Sequence, residues 1–234
     1  MLKAVLFDLD GTLLPMDEDK FTQGYFGMLC KKLAPYGYDS FKLIKTIWAG
    51  SKAMIKNDGT RTNEQAFWDC FVSVYGEEKR KDKVLFEDFY RNDFKAAKQF
   101  CGENKKARAL IDFVKAQGLK VILASNPLFP RAAMVNRLNF VDLNENDFDD
   151  ITSYETAHYC KPNPNFYQEI LTNNHLRADE VIYFGNSEIE DCEPAIKVGI
   201  KSFLVVEQVS VNEQVTPYQQ ITFDEIKDVI QKNA

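Results

Sequence analysis

Five short apolar runs, each closed by turn-forming residues, punctuate the chain: Ala4 to Phe7, Val121 to Ala124, a weaker one around Ile151, Val181 to Phe184, and Phe203 to Val206. Runs of this length without alternation are the pattern of strands buried on both faces. Between them the apolar spacing lengthens to three and four. Ala107, Leu110, Ile111 and Val114 lead to Gly118; Phe166, Ile170 and Leu171 precede the fourth run; Ile189, Cys192, Ala195 and Ile196 lead to Gly199. Each predicts an amphipathic helix, and the two glycines suit a left-handed stop. Thr222 and Glu225 make a capping-box pattern that opens a last helix through Ile226, Val229 and Ile230. Strands alternating with helices imply right-handed crossovers, so the expected fold class is α/β, a doubly wound (Rossmann-like), mostly parallel sheet.

The alternation breaks after the first strand. Four helical stripes follow in succession: Phe21, Tyr25, Met28 and Leu29; Phe41, Ile44, Ile47 and Trp48; Phe67, Trp68, Phe71, Val72 and Tyr75; and Phe86, Phe89, Tyr90 and Phe94. Thr62 with Gln65 marks the start of the third. These stripes predict an α-helical subdomain inserted at residues 17–98, its aromatics forming a core of its own, with residues 1–16 and 99–234 making the α/β core.

Composition narrows the function classes. The 234 residues, 45 % of them hydrophobic, suffice for one core with an insertion. With 29 Lys plus Arg against 35 Asp plus Glu, the net charge of −6 leaves no concentrated basic surface to neutralise a nucleic acid. The local run Lys79-Arg80-Lys81 with Lys83 reads as a solvated turn. The first apolar run meets Asp8 too soon for a signal peptide, and no segment is long and apolar enough to span a membrane. Cys30, Cys70, Cys101, Cys160 and Cys192 are odd in number and form no Cys-x-x-Cys pair, which argues against a zinc site or disulfide framework and for a cytoplasmic location. No strand is followed by Gly-x-Gly-x-x-Gly, which excludes a dinucleotide site. A calcium loop opening at Asp142 fails, with Asp147 where Gly is needed and Ser153 where Glu is needed.

The strongest chemical signal is Asp8-Leu9-Asp10-Gly11-Thr12-Leu13. Two acids at i and i+2 just past a buried strand lie at its carboxyl end, where open α/β sheets bind ligands. Two carboxylates so close cannot both stay ionised in a dry site unless a cation or another positive group compensates, so the pair predicts a metal, a shared proton or both. Three later segments share this strand-end placement: Val121-Ile122-Leu123-Ala124-Ser125-Asn126, Cys160-Lys161-Pro162-Asn163-Pro164, and Gly185-Asn186-Ser187-Glu188-Ile189-Glu190-Asp191.

The order and placement of these four segments resemble the motifs of the haloacid dehalogenase-like (HAD) superfamily, the first of which is Asp-x-Asp-x-Thr. The resemblance covers nearly the whole chain and implies a strand order of 5-4-1-2-3, with residues 17–98 as the helical cap of one branch. It implies Asp8 as the nucleophile that becomes an aspartyl-phosphate and Asp10 as general acid and base. Ser125, with the amide of Asn126, would hold a phosphoryl oxygen, and Lys161 would neutralise the transferring group. Mg²⁺ would be held by Asp8, Asp10 through its carbonyl, Asn186 and Asp191. Asn186 departs from the family's usual Asp, which removes a charge and should weaken the metal site. Glu188 and Glu190 read as exposed helix-start acids, His158 as a loop histidine and Arg131 as an exposed helix start. The implied activity is a Mg²⁺-dependent phosphatase acting on a small phosphorylated metabolite, such as a sugar phosphate, phosphoglycolate or a nucleoside monophosphate. A phosphomutase would use the same residues, and a catalytically weak phosphate-binding or interaction protein is the reading that Asn186 favours. Dehalogenation is disfavoured because those members lack an acid at the position of Asp10.

Overall fold

The structure, a computed structural model, describes residues 1–207 and 216–233. Strand β1 (Ala4–Phe7) leads into four helices, α1 (Glu18–Leu33), α2 (Ser40–Ile55), α3 (Asn63–Tyr75) and α4 (Lys83–Arg91), and a 3₁₀ segment at Asp93–Phe100. The chain returns through α5 (Ala107–Ala116), β2 (Lys120–Leu123), α6 (Arg131–Phe140), β3 (Asp150–Ile151), α7 (Pro164–Asn173) and β4 (Val181–Gly185). A π-helical turn at Glu188–Cys192 runs into α8 (Glu193–Lys197), followed by β5 (Lys201–Val206), β6 (Gln220–Thr222) and α9 (Ile226–Asn233).

All strand pairings are parallel and the order is β3-β2-β1-β4-β5-β6, which contains the expected 5-4-1-2-3 read from the other edge. The sixth strand was not foreseen; only Ile221 of its three residues is buried, so it carries no periodic signal. β1 sits at the centre, with Val5 level with Val121 and Ile182. Its side chains alternate between two cores. Ala4 and Leu6 join Phe166, Tyr167 and Ile170 of α7, whereas Val5 and Phe7 join α5, α9 and the helices between β1 and β2. Helices on both faces are why the strand reads as an unbroken apolar run.

The predicted helix signals form as hydrogen bonds. The Gln65 N–H donates to Thr62 Oγ1 at 3.2 Å and the Thr62 N–H to Gln65 Oε1 at 3.0 Å, satisfying donors that a helix start leaves orphaned. At the last helix the Thr222 N–H donates to Glu225 Oε2 at 2.7 Å, but the first turn is 3₁₀ and the α-helix begins at Ile226.

The second apolar stripe is displaced. Ile47 is buried and Ile44 partly buried as the stripe requires, but Phe41 and Trp48 are 79 % and 55 % exposed, and α2 buries Leu43, Thr46, Gly50 and Met54 in their place. The fourth stripe is buried but bends, because α4 ends at Arg91 and Phe94 sits in the 3₁₀ segment. The basic run is not simply solvated: Lys79 pairs with Asp82 at 2.8 Å and Arg80 with Asp69 at 3.0 Å. Where the chain leaves the sheet and comes back, Met16 and Cys101 form an antiparallel bridge, and the Gly102 N–H donates to the Pro15 carbonyl at 2.8 Å. Further contacts tie these helices to the sheet's loops: the N–H groups of Asn63 and Glu64 donate to the carbonyls of Ala157 (2.8 Å) and Tyr154 (2.7 Å). No helix among the described residues is long and apolar enough to cross a membrane, and all five cysteines are free.

Phe71 is wholly buried, with ring centroids of Tyr38, Phe67, Trp68, Tyr75 and Phe86 between 5.0 and 6.1 Å away. Phe71→Ala is expected to cost about 3–5 kcal/mol in urea denaturation. Phe41→Ala, on the same predicted set of stripes but exposed, should stay within about 0.5 kcal/mol of the native protein.

Candidate active site

β1 carries Asp8 out of the sheet, its N–H still donating to the Phe184 carbonyl of β4 at 2.9 Å, so the side chain's origin is fixed by the ladder. Lys161 reaches it from the loop ahead of α7. That loop is set from both sides: Asn163 caps the helix by accepting from the Asn165 N–H at 3.0 Å, and the Lys161 N–H donates to Asn126 Oδ1 at 3.2 Å. The Lys161 ammonium is fully buried and spends its three protons on Asp8 Oδ1 (2.7 Å), Asp191 Oδ1 (2.6 Å) and the Tyr183 hydroxyl (2.8 Å). Tyr183 in turn donates to Asp191 Oδ1 at 2.6 Å. Gly185 is required at the end of β4, since a Cβ there would collide with the Asp191 carboxylate.

Burial pushes the Asp8 carboxyl up to about 7; the charges of Asp191 and Asp10 add to this and Lys161 opposes it. For Lys161 burial works against the charge, yet Asp191 and Asp8 outweigh it and hold the ammonium well above its usual pKa. With both carboxylates ionised, the cluster would carry one negative charge in excess of the Lys161 ammonium, which is the form that burial disfavours at Asp8. That excess is what a cation would relieve.

Asp10 has a partner the sequence reading missed. Arg137, on α6 and 1 % exposed, forms an ion pair with Asp10 Oδ2 through Nη1, and its guanidinium lies 4.4 Å from the centroid of the Phe129 ring. Asp10 Oδ1 is buried without a hydrogen-bond partner. The signal for Arg137 was present: with Ala133, Met134 and Leu138 it stands on the buried face of α6, a position where an unpaired charge would be prohibitive. Tyr183 was also missed, because a tyrosine inside an apolar strand gives no sign of its hydroxyl's partner.

The remaining candidates converge on the same place. Gly11 turns the chain with φ +80°, and a Cβ there would strike the Asn186 side chain, whose Oδ1 accepts from Thr12 Oγ1 at 3.3 Å. Ser125 is buried, its carbonyl held by the Thr152 hydroxyl at 2.6 Å, and the Asn126 side chain also donates to Glu190 at 3.4 Å. Asp8, Asp10, Ser125, Asn126, Lys161, Asn186 and Asp191 all line one cavity of about 610 Å³, walled on its other side by α1 to α4. His158 instead bonds Glu169 at 2.6 Å, and Arg131 turns to Glu145 at 3.4 Å, so neither takes part.

A hard cation fits this donor set. The free Asp8 oxygen, the Asp10 carbonyl and the Asn186 amide oxygen are all oxygens, and the orphaned Asp10 Oδ1 is a natural acceptor for a cation-bound water. Asp191 is largely committed, since Lys161, Tyr183 and the Ser187 N–H (2.9 Å) occupy three of its roughly four lone-pair sites. No group of three or more His, Cys, Asp or Glu side chains poised for a metal occurs among the described residues.

Several solved structures share this fold across nearly their whole length. A 2-haloacid dehalogenase from Pseudomonas syringae is 17 % identical, with 100 % of each chain covered and a TM-score of 0.66. A HAD phosphatase from Thermococcus onnurineus is 16 % identical over 98 % of each chain, with a TM-score of 0.60. The protein YfnB from Bacillus subtilis, bound to magnesium, is 16 % identical over 98 % of this chain and 99 % of its own, with a TM-score of 0.59. At such identities the likeness is one of fold. None of the curated protein sequences compared with the chain matches it. The model of the haloacid dehalogenase-like hydrolase family matches residues 5–205, and with that match over most of its length the chain belongs to this family.

Proposed function

We propose that the protein is a Mg²⁺-dependent phosphatase that hydrolyses a phosphate monoester through an aspartyl-phosphate on Asp8. The observation that carries this reading is the buried Asp8–Lys161–Asp191 cluster at the floor of the cavity, with a second carboxylate, Asp10, two residues away. Asp8 attacks phosphorus, the bond to the ester oxygen breaks, and Asp10 supplies the proton to the departing alkoxide. Lys161 offsets the charge that gathers on the phosphoryl oxygens, which the Ser125 hydroxyl and the Asn126 amide also hold. Asp10 then takes a proton from water, which attacks phosphorus, releases phosphate and restores Asp8. Mg²⁺, held by Asp8, the Asp10 carbonyl and Asn186, would screen Asp8 from the phosphoryl oxygens.

Asp10 would enter the cycle with its proton on Oδ1, which has no hydrogen-bond partner in the protein, while Arg137 orients the group through Oδ2. Dehalogenation needs no such acid, so its presence favours phosphate esters. The residues 17–98 would serve as the cap that closes the cavity over the substrate, as α1 to α4 already wall it.

Inorganic phosphate release from a panel of phosphate monoesters tests the reading. The native protein is expected to turn over at least one ester and to stop when the metal is chelated, while the isosteric Asp8→Asn lowers kcat by at least about 10⁴-fold. Release that survives in Asp8→Asn would refute it. Asn186→Asp adds a negative oxygen ligand and is expected to tighten Mg²⁺ binding roughly tenfold in a calorimetric titration; unchanged affinity would remove Asn186 from the metal site.

A further inference from the structure

The cavity above Asp8 says what the ester carries. At about 610 Å³ it lies in the roughly 300–1,000 Å³ range that encloses a drug-sized ligand, far more than a phosphoryl group needs. Its walls away from the catalytic floor are aromatic: Phe26, Trp48, Phe67, Trp68, Phe86 and Phe129 are prominent among them. Charge is distributed just as unevenly. The charged residues lining it are Asp8, Asp10, Glu18, Lys161, Glu190 and Asp191, and Lys161 is already committed to two carboxylates at the floor. Among the described lining residues no other cation could receive a second phosphate or a carboxylate, and Glu18 and Glu190 would repel one. Away from the floor, side-chain polarity is confined to scattered neutral groups, the hydroxyls of Thr22, Ser51, Tyr25, Tyr90 and Tyr154 and the indole N–H groups of Trp48 and Trp68. A polyol pressed against such walls would lose water without regaining all its hydrogen bonds.

The mouth carries a second, independent sign. Trp48, Ile55 and Ile189 are 55 %, 42 % and 67 % exposed, and all three line the cavity. Two come from α2 and the third from the π-helical turn after β4, so apolar side chains from separate parts of the chain are left uncovered around one opening. Phe67, Trp68 and Phe86 pack on one another and would be apolar in any case, but burial of a core does not account for an exposed rim.

We propose that the cavity selects phosphate monoesters of bulky, uncharged, hydrophobic alcohols, with the organic group running from the floor along the aromatic walls to the apolar mouth. This deepens the phosphatase reading and rests on it. It ranks sugar phosphates and phosphoglycolate below such esters: the former bring more hydroxyls than the scattered neutral wall groups can meet, the latter a carboxylate that finds no cation.

Both tryptophans of the chain line the cavity, so intrinsic fluorescence reports its occupancy. Non-hydrolysable n-alkylphosphonates from ethyl to octyl, titrated in the presence of Mg²⁺, are expected to bind about fourfold more tightly per added methylene until the cavity is filled. Trp48→Ala and Ile189→Ser, both at exposed positions where folding is not at stake, should flatten that slope. An affinity independent of chain length, or tighter binding of phosphonoacetate than of butylphosphonate, would overturn the proposal. Phosphate release from ethyl and octyl phosphate, whose leaving alcohols are alike in acidity, is measured alongside. A steep phosphonate series with neither ester cleaved would refute the phosphatase and uphold the hydrophobic site. Cleavage of ethyl phosphate with a flat phosphonate series would do the reverse.

Discussion

A lysine ammonium with no access to water holds the two halves of the site together. Lys161 lies between Asp8, at the end of the central strand, and Asp191, on the turn after β4, and the Tyr183 hydroxyl completes its shell. Without the ammonium two carboxylates would face each other in a medium that screens them poorly; without either carboxylate a buried cation would stand uncompensated. The backbone around it serves this contact. Asn126 holds the lysine's own amide, Gly185 leaves room for Asp191, and the Ser187 amide grips the other oxygen of that carboxylate. Three strand ends are thereby joined through side chains as firmly as their strands are joined through the ladder.

With both carboxylates ionised the arrangement would leave one negative charge in excess at the floor, while the space above it is nearly devoid of charged partners. The two regions ask different things of a ligand. The floor offers charged groups and free oxygens, and the walls offer apolar surface. On the proposed reading, bond making belongs to one end and the choice of ester to the other.

Much of this was legible in the sequence because it depends on short-range pattern. The five main strands are apolar runs between turns, and their order was what the family resemblance implied. Asp8, Asp10, Ser125, Asn186 and Asp191 come after strands and Lys161 comes just ahead of α7, and all six line one cavity because strand ends of a parallel sheet lie along one edge. What escaped depends on contacts between distant segments. α2 reads as apolar over more of its surface than it buries, since Phe41 and Trp48 stand in solvent while Leu43 and Met54 face inward; hydrophobicity does not say which side of a wide apolar face meets a neighbour. Arg137 stands on the apolar face of its helix, but its partner Asp10 is 127 positions away in the chain, beyond the reach of local pattern. β6 is stabilised by its ladder with β5, not by its own composition.

The N-terminus of α3 is seated on the loop that leads to Lys161. The amides of Asn63 and Glu64 are satisfied by the carbonyls of Ala157 and Tyr154, and the Asn63 side chain reaches the Tyr159 carbonyl at 3.3 Å and Cys160 Sγ at 3.2 Å. The helices that shape the ligand's surroundings are therefore not an interchangeable module. A chimera that grafted the helices of a relative onto this sheet without an Asn at position 63 would lose the side-chain contacts to Tyr159 and Cys160, the residue next to Lys161, unless residues 154–160 travelled with the graft. Phe67 and Trp68, which wall the cavity from α3, are thus carried on the same helix that seats the Lys161 loop.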